Sequence, residues 1–272
     1  MQKVVVIIPI YKEKPNTNEV ISLRQTMCVL GQYPIVLVCP ERLNLDVYEN
    51  LYVELRGAES LLHESFEEKY FYDIKGYNRL LLSEVFYERF AQYEYMLICQ
   101  PDAYVFRDEL MEWCNKGYDF VGAPLFGTYW EGQSSLQKGK IGNGGLSLRK
   151  VESYLNFFRG KEHVVPVKEI AKRINFKRKP YTRWLVWILM IIGWRNAPKK
   201  VAQRYQWNED NFWSIYLDGT NYELTKPSVL ESLEFAWERF PSKLYAQLGH
   251  LPFGCHAWEK YEYDTFWKKY IQ

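Results

Sequence analysis

A single carboxylate within an apolar run most constrains what this chain can fold into. The run extends from Leu97 to Phe106, and Asp102 is its one carboxylate. Such a run predicts a strand that is covered on both faces, as in a parallel sheet. Ligands of open α/β sheets bind beyond the carboxyl ends of the strands, which is where Asp102 stands. The sequence therefore predicts an α/β protein in which Asp102 faces a metal ion or a phosphate.

The segments before this run alternate between predicted strands and helices. They are a strand over Val4 to Ile10, a helix over Glu19 to Leu30, a strand over Ile35 to Cys39 and a helix over Asn78 to Phe90. The strands are short apolar runs, and the helices carry apolar residues at helical spacing. This alternation predicts parallel strands joined by right-handed crossovers. We expect an α/β fold with a single central sheet, mostly parallel but mixed, flanked by helices.

The composition indicates a packed globular protein. Its 272 residues are 47% hydrophobic and 17% aromatic, with 22 Tyr and 10 Trp. Most of these rings are expected in the core, although Tyr and Trp also bind sugar rings and lipid interfaces. The five cysteines are odd in number and lack CxxC spacing, which predicts reduced thiols. Together with the absence of an apolar leader after Met1, they predict a cytoplasmic protein.

Residues 161–204 carry most of the positive charge. They contain twelve Lys or Arg and two acids, a net charge of +10 in a chain whose total is +2. At their centre the basic run Lys177 to Arg183 is followed by the apolar segment Trp184 to Trp194. Its eleven residues are fewer than the ~20 that span a membrane. The segment is either an interfacial helix on an anionic membrane or a buried helix under a basic loop.

Two later clusters set ionisable groups among aromatic residues. Trp207 to Trp213 contains the adjacent acids Glu209 and Asp210, and Pro252 to Trp258 contains His256. A buried charge is costly unless it is paired or bound to a metal ion. We therefore expect both clusters to meet the carboxylate of the first run in one site.

A glycine-rich loop, Gly142 to Gly145, precedes a predicted strand at Leu146 to Leu148. Glycines allow the backbone to approach a ligand closely and to adopt positive φ. A plain turn would use the same residues, so the pattern alone leaves both interpretations open.

Seven segments, taken in order, resemble one family. They are Val5 to Tyr11, Gly76 to Leu82, Gln100 to Ala103, Gly122 to Leu125, Gly142 to Arg149, Asn208 to Asp210 and Pro252 to His256. The ordered set resembles the DUF5672 family and, more broadly, nucleotide-sugar glycosyltransferases of the GT-A fold. The resemblance covers most of the chain except the basic, Trp-rich insertion. It implies a GT-A-like fold over residues 1–272, with residues 161–204 inserted as a basic helical segment.

The resemblance implies a divalent metal, Mn²⁺ or Mg²⁺, bound against the donor diphosphate. GT-A enzymes hold it with a DxD motif, and here the matching residues are Gln100, Pro101 and Asp102. Asp102 is expected as a metal ligand, and His256 matches a C-terminal histidine that completes the site. Because the first acid is replaced by Gln100, metal dependence stays open. Gln100 is expected to contact the donor, through its ribose or through water.

The same resemblance assigns the catalytic and donor-binding residues. Asp210 matches the general base of inverting enzymes, with Glu209 as the alternative base, although either acid could instead cap a helix. Gly144 and Gly145 are expected to line the pocket between donor sugar and acceptor. Further donor contacts are expected from four residues, namely Pro9, Tyr11, Asn78 and Arg79. Of these, Tyr11 would stack on the base, and Arg79 would meet phosphate unless it is only an exposed helix residue.

These expectations define one function and two alternatives. We expect an inverting glycosyltransferase that moves a sugar from a UDP-sugar to a glycan acceptor, lipid-linked because of the insertion, in bacterial surface polysaccharide or lipopolysaccharide synthesis. It would lie on the inner face of the cell membrane and bind no nucleic acid. A non-catalytic GT-A-fold module that binds sugar or protein is one alternative. A nucleotidyltransferase is the other, but no glycine-rich phosphate loop follows the first strand.

Overall fold

A six-stranded mixed sheet forms the centre of the protein. The computed structural model describes residues 2–57, 60–166, 168–170 and 180–271. In this part of the chain the strands are β1 (Gln2–Pro9), β2 (Ile35–Pro40), β3 (Leu62–Phe66), β4 (Tyr93–Cys99), β5 (Ala103–Val105), β6 (Phe120–Gly122), β7 (Pro124–Leu125), β8 (Lys140–Ile141), β9 (Leu146–Lys150), β10 (Ala236–Trp237) and β11 (Gly254–His256). The central sheet has the order β3-β2-β1-β4-β9-β6.

The strand directions confirm the expected mixed sheet. Strands β3, β2, β1 and β4 run parallel, whereas β9 pairs antiparallel with both β4 and β6. The predicted strands over Val4 to Ile10 and Ile35 to Cys39 are β1 and β2, and both are almost wholly buried. Because β1 and β4 are parallel neighbours, their carboxyl ends lie at the same edge of the sheet.

A smaller sheet brings the C-terminal histidine to this edge. Strand β5 pairs antiparallel with β11, so that Ala103 lies opposite His256. Strand β10 completes this sheet parallel to β11. Since β5 begins directly after Asp102, the pairing sets His256 beside that carboxylate, although the two residues are far apart in sequence.

The helices flank the sheet. In the described residues they are α1 (Thr17–Val29), α2 (Asp46–Arg56), α3 (Ile74–Leu81), α4 (Glu84–Glu88), α5 (Leu110–Asn115), α6 (Gln133–Lys138), α7 (Val151–Arg159), α8 (Pro180–Ile191), α9 (Pro198–Arg204), α10 (Glu209–Asn211), α11 (Val229–Phe235) and α12 (Pro241–Leu248). A π-helical turn, Phe212–Tyr216, follows α10 directly. Two short 3₁₀ helices lie at Glu68–Tyr70 and Trp267–Lys269.

The predicted helix over Asn78 to Phe90 is wrong as a single element. The chain forms α3 and α4 instead, and Ser83 begins the second helix by accepting a hydrogen bond from the Phe86 amide at 3.4 Å. Serine is a strong helix N-cap, and this local signal outweighs the continuous apolar spacing. The segment between Gly127 and Gly145 contains α6 and β8.

Two hydrophobic clusters cover the two faces of the sheet. One is dominated by aromatic contacts in which Trp213 is central, with rings of Tyr87, Tyr154 and Phe157 at 4.6–5.8 Å. The other packs α1 and α2 against β1, β2 and β4. A third cluster lies around the small sheet and includes Trp237, Trp258 and Trp267. Most aromatic residues therefore serve the core, as the composition suggested.

The basic segment is anchored at its ends and exposed in its middle. Val165 near its start and Val201 near its end belong to the main core, and Asn196 bonds both backbone groups of Val165 at 2.7 and 2.8 Å. In α8, all of whose residues are described, none is buried. Within the described ranges, every helix falls short of the length and apolarity needed to cross a membrane. The basic residues 177–179 lie outside the described residues.

Candidate active site

Three side chains converge where β4 ends. His256 Nε2 lies 3.2 Å from Asp102 Oδ1 and 3.2 Å from Gln100 Oε1. On the other side, Lys260 Nζ donates a hydrogen bond to Asp102 Oδ2 at 3.2 Å. The Ala257 amide bonds the Asp102 carbonyl at 2.9 Å, and Ala257 adopts a left-handed φ of 51° to do so. Such strain is found where surrounding contacts fix the backbone, often at functional sites.

The electrostatics keep Asp102 ionised. Burial acts to raise the pKa of the Asp102 carboxyl, but the hydrogen bond and charge of His256 and the charge of Lys260 outweigh it. The pKa is therefore held well below its usual range. A carboxylate that stays ionised at all physiological pH values is suited to hold a cation.

The donor set at this point fits a divalent metal ion. Adjacent ligands on an octahedral ion with bonds of roughly 2.1 Å lie about 3 Å apart, close to both 3.2 Å separations. The described residues contain no group of three His, Cys, Asp or Glu side chains arranged to hold a metal. Asp102 and His256 would thus need the amide oxygen of Gln100 as a third protein ligand. A carboxylate, an imidazole and an amide oxygen together suit Mn²⁺ or Mg²⁺.

Glu238 is a part of this site that sequence reasoning missed. Its Oε1 lies 3.8 Å from His256 Nδ1, and its Oε2 accepts a hydrogen bond from Asn143 Nδ2 at 3.0 Å. Metal-binding histidines commonly direct their second nitrogen at a carboxylate, which orients the ring. Glu238 directly follows β10, and only the pairing of β10 with β11 brings it to His256.

The glycine-rich loop between β8 and β9 touches both predicted clusters. A Cβ atom on Gly145 would clash with the His256 ring, and one on Gly144 would lie 2.8 Å from Glu209 Oε1. Gly142, Gly144 and Gly145 are not among the glycines with positive φ. These three positions therefore do not use the positive φ that glycine permits. Its glycines are required because side chains pack directly against the backbone.

Asp210 contacts this loop at Gly144. Its Oδ2 accepts a hydrogen bond from the Gly144 amide at 3.2 Å, and its Oδ1 accepts one from the Asn211 amide at 2.6 Å. Burial, helped by the neighbouring charge of Glu209, raises the pKa of Asp210 to about 6, while the two amides and Arg149 act in the opposite direction. A carboxylate with this pKa can accept a proton near neutral pH.

Glu209, the alternative base, is engaged in a buried ion pair. Arg149 binds it with two hydrogen bonds, at 3.0 Å to Oε2 and 2.9 Å to Oε1, and the side chains are 0% and 5% exposed. Tyr87 Oη accepts a further bond from Arg149 at 3.2 Å. Bidentate pairing of this kind fixes the carboxylate and neutralises its charge. The geometry therefore supports Asp210 as the base, and Glu209 does not act as a helix cap.

The predicted donor-binding residues are only partly brought together. Pro9 is buried at the end of β1, next to β4, and Tyr11 follows it with 60% exposure and Lys12 Nζ 5.6 Å from its ring centre. Asn78 Oδ1 is engaged by the Glu209 amide at 3.0 Å. Arg79 is exposed on α3. Donor binding by these four residues stays a prediction.

Arg149 and Lys260 were also missed from sequence. Arg149 alternates with apolar residues in β9 as an ordinary polar strand residue does, and its role becomes visible only when Glu209 of α10 is seen to pair with it. Lys260 follows β11 in a segment without a motif. In both cases the relevant contact joins distant parts of the chain, so local spacing carries no signal.

Removing one side of the buried pair should destabilise the fold. We expect Arg149→Met to lower the free energy of unfolding by ~3–5 kcal/mol, because it leaves the Glu209 charge buried without a partner. The double variant Arg149→Met/Glu209→Leu should recover most of that loss. Urea unfolding measures both. Arg24→Met, which breaks the exposed Arg24–Glu54 pair, is the control and should change stability far less. A double variant no more stable than Arg149→Met would contradict this account.

The chain is similar in structure to several glycosyltransferases. The galactosyltransferase LgtC, in complex with donor and acceptor sugar analogues, aligns over 93% of this chain and 86% of its own, with 12% identity and a TM-score of 0.50. Core-mannan synthase A (CmsA/Ktr4) from Aspergillus fumigatus, in its Mn/GDP form, aligns over 77% and 71%, with 9% identity and a TM-score of 0.43. GlyE from Streptococcus pneumoniae TIGR4 aligns over 94% and 55%, with 10% identity and a TM-score of 0.44.

Sequence comparison identifies the family. No curated protein matches the chain. The model of the family described as protein of unknown function (DUF5672) matches residues 60–256, which is well over half of the sequence. The similarity to LgtC, at low identity, bears on the fold alone. The protein therefore belongs to the DUF5672 family and has the α/β fold, with a mixed central sheet, of GT-A glycosyltransferases.

Proposed function

We propose that the protein is an inverting glycosyltransferase that transfers a sugar from a UDP-sugar to a glycan acceptor. One observation carries the proposal: Asp102 and Asp210, two carboxylates whose pKa values are shifted in opposite directions, are both connected to one glycine loop. Asp102 is connected to the loop through His256 and Gly145, and Asp210 through Gly144. Direct displacement at a sugar carbon requires a cation-holding group and a proton acceptor on opposite sides of the reacting atom.

On the donor side, Asp102, His256 and Gln100 would hold Mn²⁺ or Mg²⁺ against the diphosphate. The ion would supply Lewis-acid stabilisation of the charge that develops on the leaving group. Lys260, bonded to Asp102 Oδ2, adds a positive charge at the same place. Tyr11, exposed at the end of β1, is available to stack on the uracil ring.

On the acceptor side, Asp210 would take the proton from the attacking hydroxyl group. Its raised pKa makes it a stronger base than an ordinary aspartate, and the Gly144 and Asn211 amides hold its orientation. Glu209 stays paired with Arg149, so only one of the two adjacent acids is free to act.

The exposed helix α8 supports a lipid-linked acceptor and contact with an anionic membrane. Trp184 and Leu185 are 66% and 54% exposed, and Trp194 beyond the helix is 58% exposed. Indole rings beside basic residues favour the headgroup region of a bilayer. The protein would then lie on the inner face of the cell membrane and act in surface polysaccharide or lipopolysaccharide synthesis. Lys199 is not free for lipid phosphate, since it pairs with Glu84.

Asp102→Ala should abolish metal-dependent binding of UDP. The variant removes the carboxylate oxygens. The hydrogen bond from the Ala257 amide to the backbone carbonyl of residue 102 is kept, so the fold should be retained. Titration calorimetry with UDP, with and without Mn²⁺, measures the effect. Asp264→Ala, at an exposed carboxylate, should bind as the wild type does. Unchanged Mn²⁺-dependent binding in Asp102→Ala would exclude Asp102 as a ligand, and no UDP binding by the wild type would favour a non-catalytic module.

Asp210→Asn should retain UDP binding and lose about 10²–10⁴ in turnover, because an amide cannot accept the proton. The base acts when deprotonated, so wild-type kcat should rise with pH through about 6 and then level off. Release of UDP from a panel of UDP-hexoses at pH 5 to 8 measures both effects. NMR of the product should show an inverted anomeric configuration. Retention, or near wild-type turnover of Asp210→Asn, would overturn the mechanism.

The wild-type protein should co-sediment with vesicles that contain phosphatidylglycerol, and less so as salt increases. Exposed basic residues near such a surface contribute on the order of 1 kcal/mol each. Replacing Trp184, Trp187 and Trp194 by Ser should weaken binding, because the indoles would no longer enter the headgroup region. Tyr72→Ser, which alters an exposed ring outside the insertion, is the control. Failure of the wild type to co-sediment even at low salt would remove the support for a lipid-linked acceptor.

A further inference from the structure

An open cleft lies next to the proposed base and is not explained by donor binding. Its volume is about 630 Å³, and seven residues line it, namely Arg204, Tyr205, Gln206, Trp207, Asn211, Ile215 and Tyr216. Pockets of this size are in the range that holds small-molecule ligands. The lining combines three aromatic rings with amide and guanidinium groups, which is the chemistry that recognises a sugar by its apolar face and its hydroxyls.

The cleft is connected to Asp210 by direct contacts. Asn211 lines the cleft, and its backbone amide donates a hydrogen bond to Asp210 Oδ1 at 2.6 Å. Burial, followed by the charge of Asp210, raises the pKa of Tyr205, which also lines the cleft, to about 12. The π-helical turn Phe212–Tyr216 forms one wall, and such turns are frequent at functional sites.

Trp207 is the one tryptophan in the lining, and it is 75% exposed. By contrast, the rings of Tyr205 and Tyr216 pack at 5.4 Å from one another and against Phe212, so they form a fixed base for the cleft. The indole of Trp207 lies close in sequence to Asp210, the proposed base, and its apolar surface stays in water until a ligand covers it. Trp207 is thus in a position to stack on a sugar ring.

We propose that this cleft is the acceptor subsite and that it binds a pyranose unit of the acceptor glycan, with Trp207 as the stacking surface. The proposal rests on the proposed function and names the substrate class of the same site. Its location follows from the chemistry, since the attacking hydroxyl must reach Asp210 from the side opposite the donor. Asp210 meets the donor-side loop through Gly144 and the cleft through Asn211.

The position of Arg204 relates the cleft to the exposed segment around α8. Its guanidinium lies 5.7 Å from the ring centre of Trp194, the exposed indole beyond α8. The end of the cleft formed by Arg204 therefore adjoins the segment proposed to meet the membrane. An acceptor whose sugar lies on Trp207 would extend its aglycone toward Arg204 and Trp194.

The test uses methyl and n-octyl pyranosides of glucose, galactose, mannose and N-acetylglucosamine as probes. Saturation-transfer NMR detects their binding to the full chain, with and without UDP and Mn²⁺. At least one probe should bind the wild type, and Trp207→Ala should weaken that binding about tenfold or more. Tyr72→Ala, which removes a similarly exposed ring (77% against 75% for Trp207) from outside the cleft and the basic segment, is the matched control and should leave binding of the methyl glycosides unchanged.

Two outcomes overturn the proposal: the wild type binds none of the probes, or Trp207→Ala binds them as the wild type does. Calorimetry of UDP and hydrolysis of UDP-hexoses separate this failure from that of the proposed function. Intact UDP binding and hydrolysis, with glycoside binding insensitive to Trp207, would refute only the cleft. If the wild type neither binds UDP nor hydrolyses UDP-hexoses, the proposed transferase activity is refuted, whether or not the glycosides bind.

Discussion

The buried ion pair between Arg149 and Glu209 is the interaction on which the arrangement of the site depends. It connects β9, in the central sheet, to α10, which carries the proposed base. A bidentate pair has essentially one geometry, and separating it inside the protein would leave two unpaired charges without solvent. The segment that carries Asp210 is therefore held against the sheet. The Asn78 side chain, bonded to the Glu209 amide, fixes the same segment from α3.

This pair also explains why two adjacent acids differ in chemistry. Arg149 neutralises Glu209, whereas no cation among the described residues forms an ion pair with Asp210, and burial raises the pKa of Asp210 to about 6. His256 and Lys260 lower the pKa of Asp102. Opposite shifts in two carboxyl groups are the usual means by which one site combines a permanent charge with a proton acceptor. The loop is made of glycines because the His256 ring packs on Gly145 and the two acids Glu209 and Asp210 pack on Gly144.

What the sequence predicted depended on whether the signal was local. The apolar runs of β1, β2 and β4 predicted these strands correctly. Asp102, Asp210 and His256 were recognisable in the sequence as ionisable groups among apolar neighbours. The prediction of one helix over Asn78 to Phe90 was wrong because the helix N-cap at Ser83 outweighs the apolar periodicity. Arg149, Glu238 and Lys260 were missed since their roles arise from contacts between distant strands and loops. The glycine pattern left a close backbone approach and a plain turn both open, and the structure shows side chains packed against Gly144 and Gly145.

A continuous set of contacts leads from the donor side of the site to the exposed helix. His256 packs on Gly145, and the amide of Gly144 donates a hydrogen bond to Asp210. Asn211, whose amide also bonds Asp210, lines the cleft. Arg204 lines the same cleft and contacts the ring of Trp194. In the described part of the basic segment, Val165 and Val201 belong to the core and Asn196 bonds Val165, whereas the residues of α8 are not buried. Exposed apolar surface is retained at a cost unless another surface covers it. A lipid-linked glycan would use both features at once, with its sugar in the cleft and its lipid beside α8.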